Sequence, residues 1–203
     1  MAQQKQGLLP SRYQQVEYIQ NDGTQYIDTN IIASENNSFE VKAQLINTDL
    51  ASQTIWGGRN STTPNSLQSN QLSCAKSNGV YQFCCGNNNK SVSRKYDYQL
   101  HTFRAIKNKL YIDDTLIYTA DSGDIILAEN NVYLFATNTA GTTGFAGGSL
   151  KMYYCKIWYE DTLVRHFIPC VRKSDGAIGM FDLIEQMFFE NQGTGEFIKG
   201  DAI

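Results

Sequence analysis

LVRHFIPCVRKSDGAIGMFDLIEQMFFENQGTGEFIKG, from Leu163 to Gly200, decides the fold class. It holds three short apolar runs, each closed by turn residues. Leu163–Val171 is β-rich and extended. Ser174-Asp175-Gly176 breaks it, because glycine accepts positive φ and aspartate bonds its own backbone. Ala177–Leu183 and Gln186–Glu190 are the next two runs. Asn191-Gln192-Gly193 then turns the chain into Glu196–Lys199. No run has helical length or period, so the stretch reads as a β-meander.

The same grammar extends toward the N-terminus. Ser38–Ile46 alternates cleanly, with Phe39, Val41, Ala43 and Leu45 on one face and Glu40, Lys42 and Gln44 on the other. Tyr13–Ile19 and Gln25–Ile32 are strands whose intervening Asp22-Gly23 is a hairpin signal. Thr54–Gly57 is a short strand carrying Trp56. Arg59–Asn70 and Gly86–Lys90 read as polar loops, and Asn138–Gly148 as a Gly/Thr/Asn loop. Gln71–Ala75 and Val80–Cys84 form a hairpin across Lys76-Ser77-Asn78-Gly79. Leu100–Ile106, Lys109–Ile112 and Leu116–Thr119 form a tight meander turning at Lys107-Asn108 and Asp113-Asp114. Asn131–Thr137 is a further strand. Leu150–Tyr159 carries apolar or aromatic residues on both faces, as a strand covered on both sides would. About fourteen short strands without a convincing helix mean one all-β sandwich, jelly roll or barrel. Residues 1–10 read as a flexible lead or attachment segment and 11–203 as a single domain.

Composition narrows the function. The chain has 203 residues, 41% hydrophobic and only 18% charged, with a net charge of −3. A nucleic-acid binder needs a basic surplus to neutralise phosphates, and none is present. No apolar run reaches the roughly 18 residues of a membrane-spanning helix, and the polar start is not a secretory signal. The five cysteines, Cys74, Cys84, Cys85, Cys155 and Cys170, are odd in number and read as reduced and buried. A two-residue turn at Glu160-Asp161 would set Cys155 opposite His166 and Cys170 opposite Lys151, roughly 13 Å out of register and too far to bridge. Zinc is disfavoured: there is no Cys-x₂-Cys pair, and His101 and His166 stand alone.

Both ends of the chain resemble one family. Leu9-Pro10-Ser11-Arg12-Tyr13 through Ile19, with Gly23-Thr24-Gln25-Tyr26-Ile27-Asp28-Thr29, is similar to the opening of concanavalin A-like (LamG-like) jelly-roll modules. Phe167-Ile168-Pro169-Cys170, Lys173-Ser174-Asp175-Gly176, Gly179-Met180-Phe181-Asp182 and Asn191-Gln192-Gly193-Thr194-Gly195 resemble their close, and Ile55-Trp56-Gly57-Gly58-Arg59 an internal step. Ile184-Glu185-Gln186 departs from the family's Asn-Gly turn. Such modules occur in tail, fibre and other virion proteins of phages of gut bacteria, and in surface proteins of their hosts. The resemblance implies a concanavalin A-like jelly-roll sandwich of two antiparallel sheets with the terminal strands close together.

Glucanases on this fold pair carboxylates at i and i+2 of one strand, so that acid and nucleophile flank one glycosidic bond. No such run exists here; Glu160-Asp161 and Asp113-Asp114 are turns, and His166 reads as a packed or surface strand residue. No catalytic residue is assigned. Sugar binding needs an aromatic face together with amide or carboxylate groups. Trp56 near Arg59 and Asn60, with Tyr81, Asn87 and Asn138 on neighbouring loops, is the candidate cluster, set against a plain core role for Trp56. Asp121-Ser122-Gly123-Asp124 is the candidate Ca²⁺ loop, through Asp121 and Asp124; otherwise it is a solvated turn and the chain needs no cofactor. The expectation is a non-enzymatic carbohydrate- or receptor-binding module of a virion or bacterial surface, made in the cytoplasm. Its partner would be a cell-surface glycan, and homo-oligomers are compatible with it. The alternative is a structural virion protein binding other virion proteins; a glycosidase ranks behind both.

Overall fold

The computed structural model describes residues 9–46, 52–60, 69–75, 79–86, 88–120, 129–144 and 148–203. The strands, in chain order, are β1 Tyr13–Gln15, β2 Ile19–Gln20, β3 Ile27–Ile32, β4 Asn37–Leu45, β5 Gln53–Arg59, β6 Ser69–Ala75, β7 Val80–Gly86, β8 Asn88–Lys95, β9 Leu100–Ile106 and β10 Lys109–Ile112. They continue as β11 Thr115–Thr119, β12 Asn131–Leu134, β13 Thr137–Thr139, β14 Thr142–Gly144, β15 Leu150–Tyr159, β16 Thr162–Arg172, β17 Ile178–Asp182, β18 Met187–Glu190 and β19 Ile198–Lys199. No helix occurs among the described residues.

Two sheets make a jelly-roll sandwich. The first runs β11-β10-β9-β4-β15-β16-β17-β18, with β1 on β16 and with β2, which carries β19, on β15. The second runs β14-β13-β5-β6-β7-β8, and β12 joins β3 to β5. Pairing among the described strands is antiparallel except between β13 and β5. Here the chain reverses at Phe135, which sits buried at φ 69° and donates its N–H to Ile55 O. The core fills the space between the sheets: Phe39, Val41 and Ala43 of β4, Phe103 of β9 and Met152, Cys155 and Ile157 of β15 face Trp56, Leu72 and Phe83 of β5–β7. A smaller cluster on the outer side of the first sheet packs Ile168, Cys170 and Phe181 under Tyr13, Leu9 and Phe188.

The alternating strand Ser38–Ile46 and the closing meander appear as expected, and the terminal strands do meet. β19 lies on β2, and Val16 bridges Ala202. Asn21 is wholly buried in this seam, donating its side-chain amide to Gly148 O and accepting from Leu150 N. Other expectations fail for identifiable reasons. Asp22-Gly23 is no hairpin: the chain leaves the first sheet there and β3 enters the second, pairing with β12. Asn191 and Thr194 hold that crossing, through Tyr26 N to Asn191 Oδ1 at 3.2 Å and Thr24 Oγ1 to Thr194 O at 2.9 Å. Asn88–Lys90, read as loop, belong to β8. The Asn131–Thr137 strand is broken in two at Phe135. A bulge between Ile157 and Trp158 moves the β15–β16 register by one, so Cys155 opposes Phe167 and not His166. All five cysteines are free and buried.

His101 does not stand alone. Its Nδ1 lies 2.5 Å from Asp113 Oδ2 and its Nε2 2.7 Å from Asp97 Oδ1, which ties the approach to β9 to the β10–β11 turn. Nor is β15 covered on both faces by the described chain. Its outer side chains instead make their own network: Tyr154 and Lys156 both donate to Glu40 Oε1 at 3.1 Å, and Arg104 stands 3.6 Å from Glu40 Oε2. His166, edge-on to Tyr154, adjoins this network.

Two local devices fix the closing meander. A Cβ on Gly179 would come within 2.3 Å of Phe189 O, so the β17–β18 approach admits only glycine. Asp182, fully buried, accepts from His166 N at 2.8 Å and Ile184 N at 3.1 Å and shapes the Leu183–Gln186 turn. Gly179→Val and Asp182→Ala are each expected to cost about 3 kcal/mol, through overpacking and through stranded buried donors respectively; urea unfolding measures both.

Burial, then the Lys156 charge, pulls the His166 imidazole down from 6.5 to about 4, with Glu40 opposing. The unfolded chain therefore takes up this proton first as pH falls, and stability is lost between 6.5 and about 4. After allowing for the ring's partial exposure, the loss is about 1–2 kcal/mol. His166→Gln should flatten that part of the stability–pH curve relative to the parent chain, which denaturation midpoints measured across the range will show.

Candidate functional site

Strand parity separates the residues that the sequence grouped together. Trp56 and Arg59 are three positions apart on β5, and side chains at i and i+3 of a strand point to opposite faces. Trp56 is in register with Leu72, which opposes Phe83, so it faces the core. Its ring stacks on Phe39 at 5.0 Å and 10°, and its Nε1 donates to Asn70 Oδ1 at 3.1 Å. Tyr81 is equally buried, edge-on to Phe103 at 5.5 Å. Neither ring offers a face to a sugar, which corrects their assignment as a binding platform. Trp56→Ala is expected to lose about 3–5 kcal/mol of stability, the cost of a large aromatic removed from a packed core, and thermal unfolding will register it. A fully stable Trp56→Ala chain would contradict the core assignment.

Arg59 faces the other way. On the outer side of the second sheet, the register sets Gly57 beside Gln71 and Gln71 beside Cys84, and sets Thr54 beside Ser73 and Ser73 beside Gln82. Thr137 and Thr139 of β13 complete the strip. Thr54 Oγ1 and Thr137 Oγ1 are 3.2 Å apart, Gln71 Nε2 donates to Ser73 Oγ at 3.0 Å, and Arg59 Nε donates to Thr139 Oγ1 at 2.8 Å. Gly57 is crowded in the middle: a Cβ there would meet Thr137 Oγ1 at 2.9 Å and the Gln71 side chain at 3.2 Å, so these two side chains close over its backbone. Glycine at such a strand position marks close approach of another group.

The strip is polar yet sheltered. Thr54, Gln71, Ser73, Thr137 and Arg59 are all less than 7% exposed. Burial lowers the Arg59 pKa below the ordinary arginine value, with the neighbouring Cys84 opposing. The guanidinium keeps its charge, because arginine is not deprotonated in proteins, and in this dry setting its field is stronger than in water. The strip thus presents a cation, an amide and several hydroxyls on rigid strands, with no carboxylate among its described residues. Groups of this kind suit anionic and hydroxylated ligands.

The remaining sequence candidates divide. Asn60 follows Arg59 at the rim of β5, half-buried. Asn138 lies on β13 opposite Gly58, where its Oδ1 accepts from Gly141 N at 2.9 Å and closes the turn into β14. Asn87, and the proposed calcium residues Asp121 and Asp124, lie outside the described residues. Among the described residues no group of three or more His, Cys, Asp or Glu side chains is arranged to hold a metal. Thr54, Gln71, Ser73, Thr137 and Thr139 went unnoticed in the sequence. The signal was present in Ser69–Ala75, where Gln71 and Ser73 alternate with Leu72 and Cys74.

No protein-family model matches the chain, and no curated protein sequence does. Solved structures do. The chain is similar to the carbohydrate-binding module CBM40 of the Ruminococcus gnavus IT-sialidase bound to α2,3-sialyllactose, at 18% identity and a TM-score of 0.52, over 73% of this chain and 92% of that one. A second structure of that module aligns over 78% and 92% of the two chains, at 18% identity and a TM-score of 0.49. A mutant Trypanosoma rangeli sialidase displaying trans-sialidase activity aligns at 11% identity and a TM-score of 0.42, over 61% of this chain and 20% of that one. The first of these likenesses is one of fold.

Proposed function

We propose that the chain is a non-catalytic carbohydrate-binding module whose outer strip around Arg59 takes a sugar bearing a carboxylate. The observation that carries this is the setting of Arg59: a sheltered guanidinium, braced through Nε by Thr139, among the hydroxyls of Thr54, Ser73 and Thr137 and the amide of Gln71. A guanidinium matches a carboxylate in shape and charge, and a low-water setting raises the worth of that pair. Hydroxyl and amide side chains suit sugar hydroxyls. The fold shared with a sialyllactose-bound module supports the reading from a separate direction.

The test is calorimetric titration with α2,3-sialyllactose and with lactose. Sialyllactose is expected to bind with Kd on the order of 0.1–1 mM, and lactose at least tenfold more weakly, a gap of about 1.4 kcal/mol. Arg59→Ala should remove the preference while circular dichroism stays unchanged. Equal binding of both sugars, or an undiminished preference in the variant, would refute the site. Release of free sialic acid on prolonged incubation would refute the non-catalytic reading.

The setting we propose is host attachment from a phage virion, or adhesion at a bacterial surface, with a structural virion component as the second reading. Both rest on the resemblance of Leu9–Thr29 and Phe167–Gly195. Cryo-EM of intact particles distinguishes them: density at a fibre tip favours attachment, and density on the capsid favours the structural role.

A further inference from the structure

A cleft of about 370 Å³ opens between β3 and β18, lined by Asp28, Asn30, Met187, Phe188, Glu190 and Gln192. These two strands are edges of different sheets: β18 ends the first, and β3 is held in the second by β12 alone. The volume falls within the range of small-ligand sites, which combine an apolar wall with a few placed polar groups. The apolar side chain here is Met187, 53% exposed; Phe188, next to it on β18, turns its ring to the opposite face, against Tyr13.

The polar groups are already oriented. Asp28 Oδ1 accepts from Asn30 N at 2.9 Å and Oδ2 from Asn131 Nδ2 at 3.3 Å. Glu190 is paired with Arg172, whose guanidinium lies 4.9 Å over the Phe188 ring. An incoming cation would compete with Arg172 for Glu190. An incoming anion would meet two carboxylates. A neutral ring with hydroxyls avoids both costs. It can donate to the spare lone pairs of Asp28 and Glu190, exchange hydrogen bonds with the amides of Asn30 and Gln192, and lay its C–H face on Met187.

We propose that this cleft is a second ligand site, taking a neutral sugar ring, independent of the Arg59 strip and sharing no residue with it. The chain would then hold an acidic sugar on one sheet and a neutral one at the seam between sheets.

Methionine-methyl NMR on the full chain tests this directly. Met152 and Met180 are wholly buried while Met187 lines the cleft, so its methyl is a local reporter. The probes are the methyl glycosides of glucose, galactose, mannose and N-acetylglucosamine, each titrated to about 50 mM, a range that captures millimolar affinity. At least one should shift the Met187 methyl saturably while Met152 and Met180 stay in place. Arg59→Ala should leave that titration unchanged. Asn30→Gly, which tolerates the φ of 54° at this position and removes the amide, should weaken it about tenfold. No saturable Met187 shift with any of the four glycosides would overturn the proposal. So would a shift lost in Arg59→Ala, since one site would then explain everything. A Met187 shift that tracks protein concentration without sugar would overturn it too, assigning the exposed edge to a second copy of the chain. The sialyllactose titration reads the Arg59 strip alone, so failure of either site is distinguishable from failure of the other.

Discussion

Phe39 lying flat on Trp56 is the contact on which the sandwich depends. It joins β4, central to the first sheet, to β5, central to the second, with ring centroids 5.0 Å apart. Aromatic pairs at this distance contribute roughly 0.5–1.5 kcal/mol beyond the area they bury. The indole nitrogen is satisfied inside the core by Asn70, whose own amide reaches Ser34 O. Trp56 is therefore fixed in rotation as well as position. With it inward, strand alternation sends Gly57 and Arg59 outward, beside Gln71 and Thr139. The core contact and the candidate binding strip are two faces of one seven-residue strand, and a register slip that freed Trp56 would bury Arg59's charge in the core.

The closing stretch supplies the second constraint. It forms the edge of the first sheet through β16–β18 and then leaves the meander, so that β19 pairs with β2. Gly193 passes so close to the Thr24 carbonyl that a Cβ would overlap it. Asn191, Gly193 and Asp182 work as turn and seam residues, as their types suggest. Yet the same stretch also lines the cleft, through Met187, Phe188 and Glu190. A region whose polar residues chiefly set turns can present a site as well, because edge strands keep one side uncovered.

Much of this was legible in the sequence, and the failures share a cause. β4 and the closing meander follow from alternation and turn chemistry, which are local. Asp22-Gly23 carries a hairpin signal, but its flanking strands are claimed by different sheets, a tertiary outcome that no local pattern reports. The bulge between Ile157 and Trp158 shifts Cys155 from His166 to Phe167, and bulges leave no reliable mark in residue type. Asn88–Lys90 look like loop because asparagine is poor in strands, yet pairing with β7 holds them extended. Trp56 and Arg59 are different: their odd separation already placed them on opposite faces, and closeness in sequence was read as closeness in space. Arg59 was legible as a candidate, whereas its companions Gln71, Ser73 and Thr137 needed the sheet order to bring three distant segments together.

The central claim is that recognition resides on the outer strip around Arg59, with Trp56 serving only to aim it. A crystal structure of the chain with α2,3-sialyllactose tests this most directly. The account predicts the sugar carboxylate within hydrogen-bonding distance of the Arg59 guanidinium, with the Trp56 indole unmoved against Phe39. Sialyllactose bound elsewhere, with the Arg59 strip empty, or an indole swung out of the core to stack on the sugar, would contradict it.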